Sequence, residues 1–72
     1  MIEIKISTPF IKLDQLLKYS GISLDGSEAK EIIKSGLVNV NGEKEERRGR
    51  KIYPDDLISI NLEDEIKELK VI

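Results

Sequence analysis

Four cations fall within five consecutive positions of this 72-residue chain: Arg47, Arg48, Arg50 and Lys51. A guanidinium offers a planar fork of N–H donors that fits two oxygens of one phosphate, and an ammonium adds a compact point charge. Like charges packed this closely repel and order poorly without an anion. The chemistry they offer is therefore anion recognition, phosphate above all. A competing reading is a solvated face, balanced by Glu45, Glu46 or the acidic residues further on. Lys30 and Lys34 stand one helical turn apart and share a face. Lys12 and Lys18 fall on the polar side of an earlier helix. Taken singly, each lysine reads as a solubility residue. Placed on the same side as Arg47–Lys51, they would join it in one phosphate-binding surface, and the short Gly36–Val38 connection allows that.

Other chemistries find little support. The chain has no histidine and no cysteine. That removes histidine acid–base catalysis, thiol nucleophiles and the usual zinc sites. No glycine-rich nucleotide-binding loop is present. Of the remaining carboxylates Asp14, Asp25, Asp55 and Asp56, Asp25 suits a helix cap and the Asp55-Asp56 pair a turn. A catalytic pair would need a dry concave site. The expectation is a binding protein, not an enzyme, with no cofactor and no metal. Aromatic residues are few: Phe10, Tyr19 and Tyr53. Reading single-stranded bases by stacking is disfavoured. Phosphate and shape recognition of folded RNA fits better. Phe10 reads as core, and Tyr53 as core or rim.

The net charge is −2 and the pI about 5.1. Bulk nucleic-acid binders are usually far more basic, but here distribution matters more than the sum. Residues 44–51 carry a local charge of +3, and residues 55–68 a local charge of −5. The absence of cysteine fits a reducing compartment. No signal peptide or apolar run of membrane-spanning length is visible. The expectation is a single-domain, soluble, cytoplasmic monomer.

The elements that must position these residues follow from period and punctuation. Met1–Ser7 alternates, with Ile2, Ile4 and Ile6 on one side, as in a half-buried strand. Thr8-Pro9 reads as a helix start, with Thr8 as cap and Pro9 at the first turn. Phe10, Leu13, Leu16 and Leu17 continue at helical spacing, and Gly21-Ile22 reads as the stop. Asp25 and Glu28 have capping-box spacing for a second helix. Its apolar stripe is Ala29, Ile32, Ile33 and Leu37, and Gly36 is its stop. Val38–Val40 reads as a strand, Asn41-Gly42 as a type I′ hairpin turn, and Glu43–Glu46 as a short, exposed return strand. Arg47–Lys51 is a loop, Ile52–Asp56 contains a turn, and Leu57–Leu62 is a strand with Ile58, Ile60 and Leu62 on one face. The segment Ile66–Ile72 suits helix or strand. A strand over Glu68–Ile72 is preferred, because the first strand needs a partner.

These residues also resemble a known family. Lys12-Leu13-Asp14-Gln15-Leu16-Leu17, Ser27-Glu28-Ala29-Lys30, the run from Ile33 through Gly36-Leu37-Val38-Asn39-Val40-Asn41-Gly42, and Asp55-Asp56-Leu57-Ile58 together resemble the S-four RNA-binding domain. The length and the Arg47-Arg48-Gly49-Arg50-Lys51 run look most like its small stand-alone, YaaA-like bacterial subgroup. The resemblance implies an α+β fold, with two short helices packed on a small antiparallel sheet. It also implies that the helix pair and the following loop dock on RNA. Carried over by position, the RNA contacts would be Lys12, Lys30, Lys34, Arg47, Arg48, Arg50 and Lys51. Many members have arginine where this chain has Lys12, and lysine keeps the charge without the bidentate fork. The expected partner is structured RNA, either ribosomal RNA or another folded, tRNA-like RNA of translation. The alternative is a ribosome- or translation-factor-associated protein-interaction module that touches RNA incidentally.

Overall fold

Apolar residues gather on one side of each element, and a computed structural model covering residues 1–72 shows what they bury. In chain order the elements are β1 (Ile2–Ile4), β2 (Ile11–Lys12), α1 (Leu13–Tyr19), α2 (Gly26–Lys34), β3 (Val38–Val40), β4 (Glu43–Lys44), β5 (Lys51–Ile52), β6 (Leu57–Asn61) and β7 (Ile66–Val71). Five strands form one sheet in the order β1-β7-β6-β3-β4, and β2 pairs with β5 in a separate ladder. This is the expected α+β architecture of two short helices against a small sheet.

The pairs β7–β6, β6–β3 and β3–β4 are antiparallel, whereas β1 joins β7 in parallel. The sheet is therefore mixed. A parallel pair needs a long crossover, and the whole helix–hairpin body supplies it. The C-terminal segment is a strand, as preferred, but it begins at Ile66 rather than Glu68. A turn from Leu62 to Glu65, closed by Leu62 N–H on the Glu65 carbonyl at 2.8 Å, sends it straight back along β6.

One face of the sheet carries Val38, Val40, Ile58, Ile60, Leu69 and Val71, all buried. Leu13, Leu16 and Leu17 of α1 and Ala29 and Ile33 of α2 cover that face, and Ile52 of β5 completes the cluster. Each Leu or Ile so buried contributes about 1.5–3 kcal/mol. The opposite face pairs polar residues across strands: Asn39 with Ser59, and Ser59 with Glu68. Covering one face of an antiparallel sheet and wetting the other is the usual arrangement.

Punctuation behaves as read at most positions. Gly21 has φ +84°, Ile22 N–H reaches the Leu17 carbonyl at 3.1 Å, and Gly21 N–H reaches Lys18. That is a full left-handed helix stop. The Asp25 carboxylate accepts the Glu28 N–H at 2.9 Å, and the Glu28 carboxylate reaches back to the Leu24 N–H. Asn41 and Gly42 both have positive φ, as a type I′ turn requires.

The start of the first helix is different. Thr8 caps nothing, because its hydroxyl donates to the Phe10 carbonyl at 2.8 Å. The helix begins only at Leu13, with Lys12 extended before it and no side-chain cap. Residues 11 and 12 are drawn into a ladder with Lys51 and Ile52 instead, in register Ile11↔Ile52 and Lys12↔Lys51. Phe10 accordingly leaves the expected core position. It is half-buried and packs on Tyr53 at a ring-centroid distance of 5.9 Å.

Candidate nucleic-acid interface

The basic loop is built from backbone upward. The Glu45 N–H bonds the Val38 carbonyl at 2.9 Å, which extends the hairpin just past β4. The Glu45 carboxylate then accepts the Arg47 N–H at 3.1 Å, turning the chain. A further turn closes with Arg50 N–H on the Arg47 carbonyl, leaving Arg48 and Gly49 at its tip. The carbonyls of Arg50 and Arg48 accept the N–H groups of Leu13, at 2.9 Å, and Asp14, at 3.0 Å. A helix start leaves such N–H groups without partners inside the helix. Here the basic loop supplies them, and α1 and the loop become one unit.

That docking fixes where the cations lie. Lys12 and Lys51 sit directly opposite each other in the β2–β5 ladder. Like charges so placed destabilise a ladder; an anion between them would relieve that. Lys51 Nζ also lies 4.9 Å from the centre of the Phe10 ring, a distance at which a cation is held by the aromatic face. Arg48, at the turn tip, forms no ion pair, and neither do Lys12 and Lys51.

Arg47 and Arg50 are held differently. Arg47 donates from Nε and Nη2 to the two Glu45 carboxylate oxygens, each at 3.0 Å, and Arg50 donates from Nη1 to the same group at 3.0 Å. The Glu45 side chain is 7% exposed, whereas the side chains of Arg47 and Arg50 are 78% and 32% exposed. Glu45 is buried, with the Arg47 and Arg50 guanidinium groups bonded to its carboxylate. The hydrogen bonds from Arg47 hold its carboxyl down to about 2, against an opposing push from desolvation. In turn Glu45 raises the Arg47 guanidinium above its ordinary value. Both groups are fully charged at neutral pH.

The return strand was expected to be exposed throughout, and Glu45 corrects that: it is buried, as the anchor of the loop. The competing reading, in which carboxylates balance the loop, is met at this residue alone. Glu46 pairs with no loop cation, nor does any residue of the acidic tail, where Glu65 pairs with Lys67. The signal for Glu45 was present in the chain as a glutamate two and five positions before arginines.

Lys30 and Lys34 lie on a separate stretch of α2. They line a shallow groove with Ser27, Glu31 and Ser35, to which no residue of the basic loop contributes. Lys12, Arg47, Arg48, Arg50 and Lys51 thus share one loop–ladder unit, while Lys30 and Lys34 sit side by side on α2. Lys44 belongs to neither. Its side chain lies over Gly36, where a Cβ would meet its Nζ at 3.5 Å. That places its charge at the C-terminal end of α2, where cations are favoured. No helix is long and apolar enough to cross a membrane.

Comparison with known proteins places this architecture. The probable ribosome maturation protein RlbA of Bacillus subtilis (strain 168) is 40% identical over 57 residues, covering 79% of this chain and 80% of that protein. The family model described as the S4 domain matches residues 4–68, which include both helices, the hairpin and the basic loop. The chain belongs to the S4 domain family.

Proposed function

We propose that residues 1–72 act as one RNA-binding domain that recognises structured RNA through its phosphates and shape. One observation carries this reading: Lys12 and Lys51 stand opposite each other beside an arginine turn that is itself bonded to the start of α1. Like charges directly opposite each other in a ladder are destabilising, and a bound phosphate would relieve that repulsion. Arg47, Arg48 and Arg50 add bidentate donors next to that pair. Membership of the S4 domain family and similarity to a ribosome maturation protein support the same direction. The target is then ribosomal RNA or another folded RNA of translation, met by a monomer in the cytoplasm, with no catalytic step. Lys30 and Lys34 on α2 extend the contact.

The test is binding to protein-free bacterial ribosomal RNA across a salt series. Five phosphate contacts give a log–log slope of roughly −4. Arg48→Glu with Lys51→Glu abolishes binding and leaves the melting temperature nearly unchanged: neither side chain is buried or ion-paired, and a carboxylate opposite Lys12 offsets the lost contact of Lys51 with the Phe10 ring. A salt-independent curve, or unaltered binding by the double variant, would refute the reading.

A further inference from the structure

Glu45 presents a puzzle in charge. It places a carboxylate against two arginines of the basic run, where it subtracts from any attraction for phosphate. It is also costly in itself. Shielding an ion pair from water is weak ground for stability, because apolar replacements often serve as well. What such a group does supply is geometry.

Three features argue that it supplies geometry here. The carboxylate takes both a backbone N–H and a side-chain edge from Arg47, so it sets the chain direction and the guanidinium plane together. It reaches Arg50 from across the turn and so ties the two ends of the Arg47–Arg50 turn to one point. It also lies beneath the guanidinium groups, shielded by them, with Arg47 exposed above it. A phosphate arriving from solvent meets the outer edges: Nη1 of Arg47 and Nη2 of Arg50 make no hydrogen bond to Glu45. A competitor for phosphate would sit on the outer side, in the position it mimics.

We infer that Glu45 is a positioning residue for RNA: it holds Arg47 and Arg50 in a fixed fork before the phosphate arrives. The inference rests on the RNA-binding reading above. It divides the cations into two classes. Lys12, Arg48 and Lys51 act by charge and adapt to the ligand. Arg47 and Arg50 act by pre-set orientation, with less side-chain entropy left to lose on binding.

The two effects of Glu45 have opposite signs, which makes the inference testable. Glu45→Gln adds one unit of positive charge, so charge alone predicts tighter binding. Positioning predicts weaker binding, by roughly tenfold for two disordered charge-assisted contacts. Affinity for protein-free bacterial ribosomal RNA is measured well below the melting temperature of each variant, so loss of fold does not enter. The same substitution is then made in a chain that already carries Arg47→Gln and Arg50→Gln. There Glu45 has no guanidinium left to orient, a glutamine oxygen can still accept the backbone N–H of residue 47, and Glu45→Gln tightens binding. If Glu45→Gln does not fold, Glu45→Asp serves. It keeps the charge and shortens the reach, and it too must weaken binding. Equal or tighter binding by the single variant that folds, or the same loss with and without the two arginines, overturns the inference. Failure of the unaltered protein to bind this RNA at low salt instead removes the RNA-binding reading itself.

Discussion

α1 and α2 begin on different kinds of hydrogen bond. α2 starts on its own neighbours: Asp25 receives the Glu28 N–H, and Glu28 answers to Leu24. α1 starts on carbonyls more than thirty positions away, those of Arg48 and Arg50. The first arrangement is complete within five residues and costs the rest of the molecule nothing. The second exists only when the hairpin has formed and the basic loop has folded back. Local and long-range caps thus divide the two helices. α2 caps itself, and α1 shares its cap with the basic loop.

Removing Arg48 and Gly49 tests this contrast most strongly. It takes away the carbonyl that receives Asp14 and displaces the one that receives Leu13. The expected loss is about 2 kcal/mol, from two backbone hydrogen bonds at about 1 kcal/mol each, read from urea unfolding. Amide exchange should quicken at Leu13 and Asp14 and stay slow at Ala29. Unchanged exchange at Leu13 would show that α1 starts without help. Asp25→Ala comes next, at about 1 kcal/mol for a lost side-chain cap. Its RNA affinity below the melting temperature should equal that of the unaltered chain, and a matching drop in affinity would break the separation of the two helices. Thr8→Ala is the smallest change, under about 0.5 kcal/mol, because Thr8 is exposed and caps nothing. A loss as large as that from Asp25→Ala would restore Thr8 as a cap.

The same contrast explains what was legible in the residues. Asp25, Gly21 and Asn41-Gly42 act through partners a few positions away, and their spacing declared them. Leu57–Leu62 and the apolar stripe of α2 were equally plain, because burial follows period. Thr8-Pro9 had the right types for a helix start but lost to the β2–β5 ladder, whose second strand lies forty residues on. Phe10 moved with it. The parallel pairing of β1 was beyond reach for the same reason. In the basic run, residue type identified the cations, yet only the folded loop separates Arg47 and Arg50, held by Glu45, from Arg48, which forms no ion pair. A charge count treats Glu45 as a subtraction, and burial turns it into an anchor.

The edge formed by β1 has a consequence for how the molecule is made. Ile2 lies opposite Leu69, so this ladder spans nearly the whole numbered chain, and the entropy cost of closing a loop rises with its length. In chain order β7 follows the helix pair, the hairpin and the basic loop. It is the strand on which β1, from the other end of the numbering, is laid. The bonds that join the basic loop to α1 close a shorter stretch of chain than the β1–β7 ladder, so that border of the sheet carries the larger closure cost.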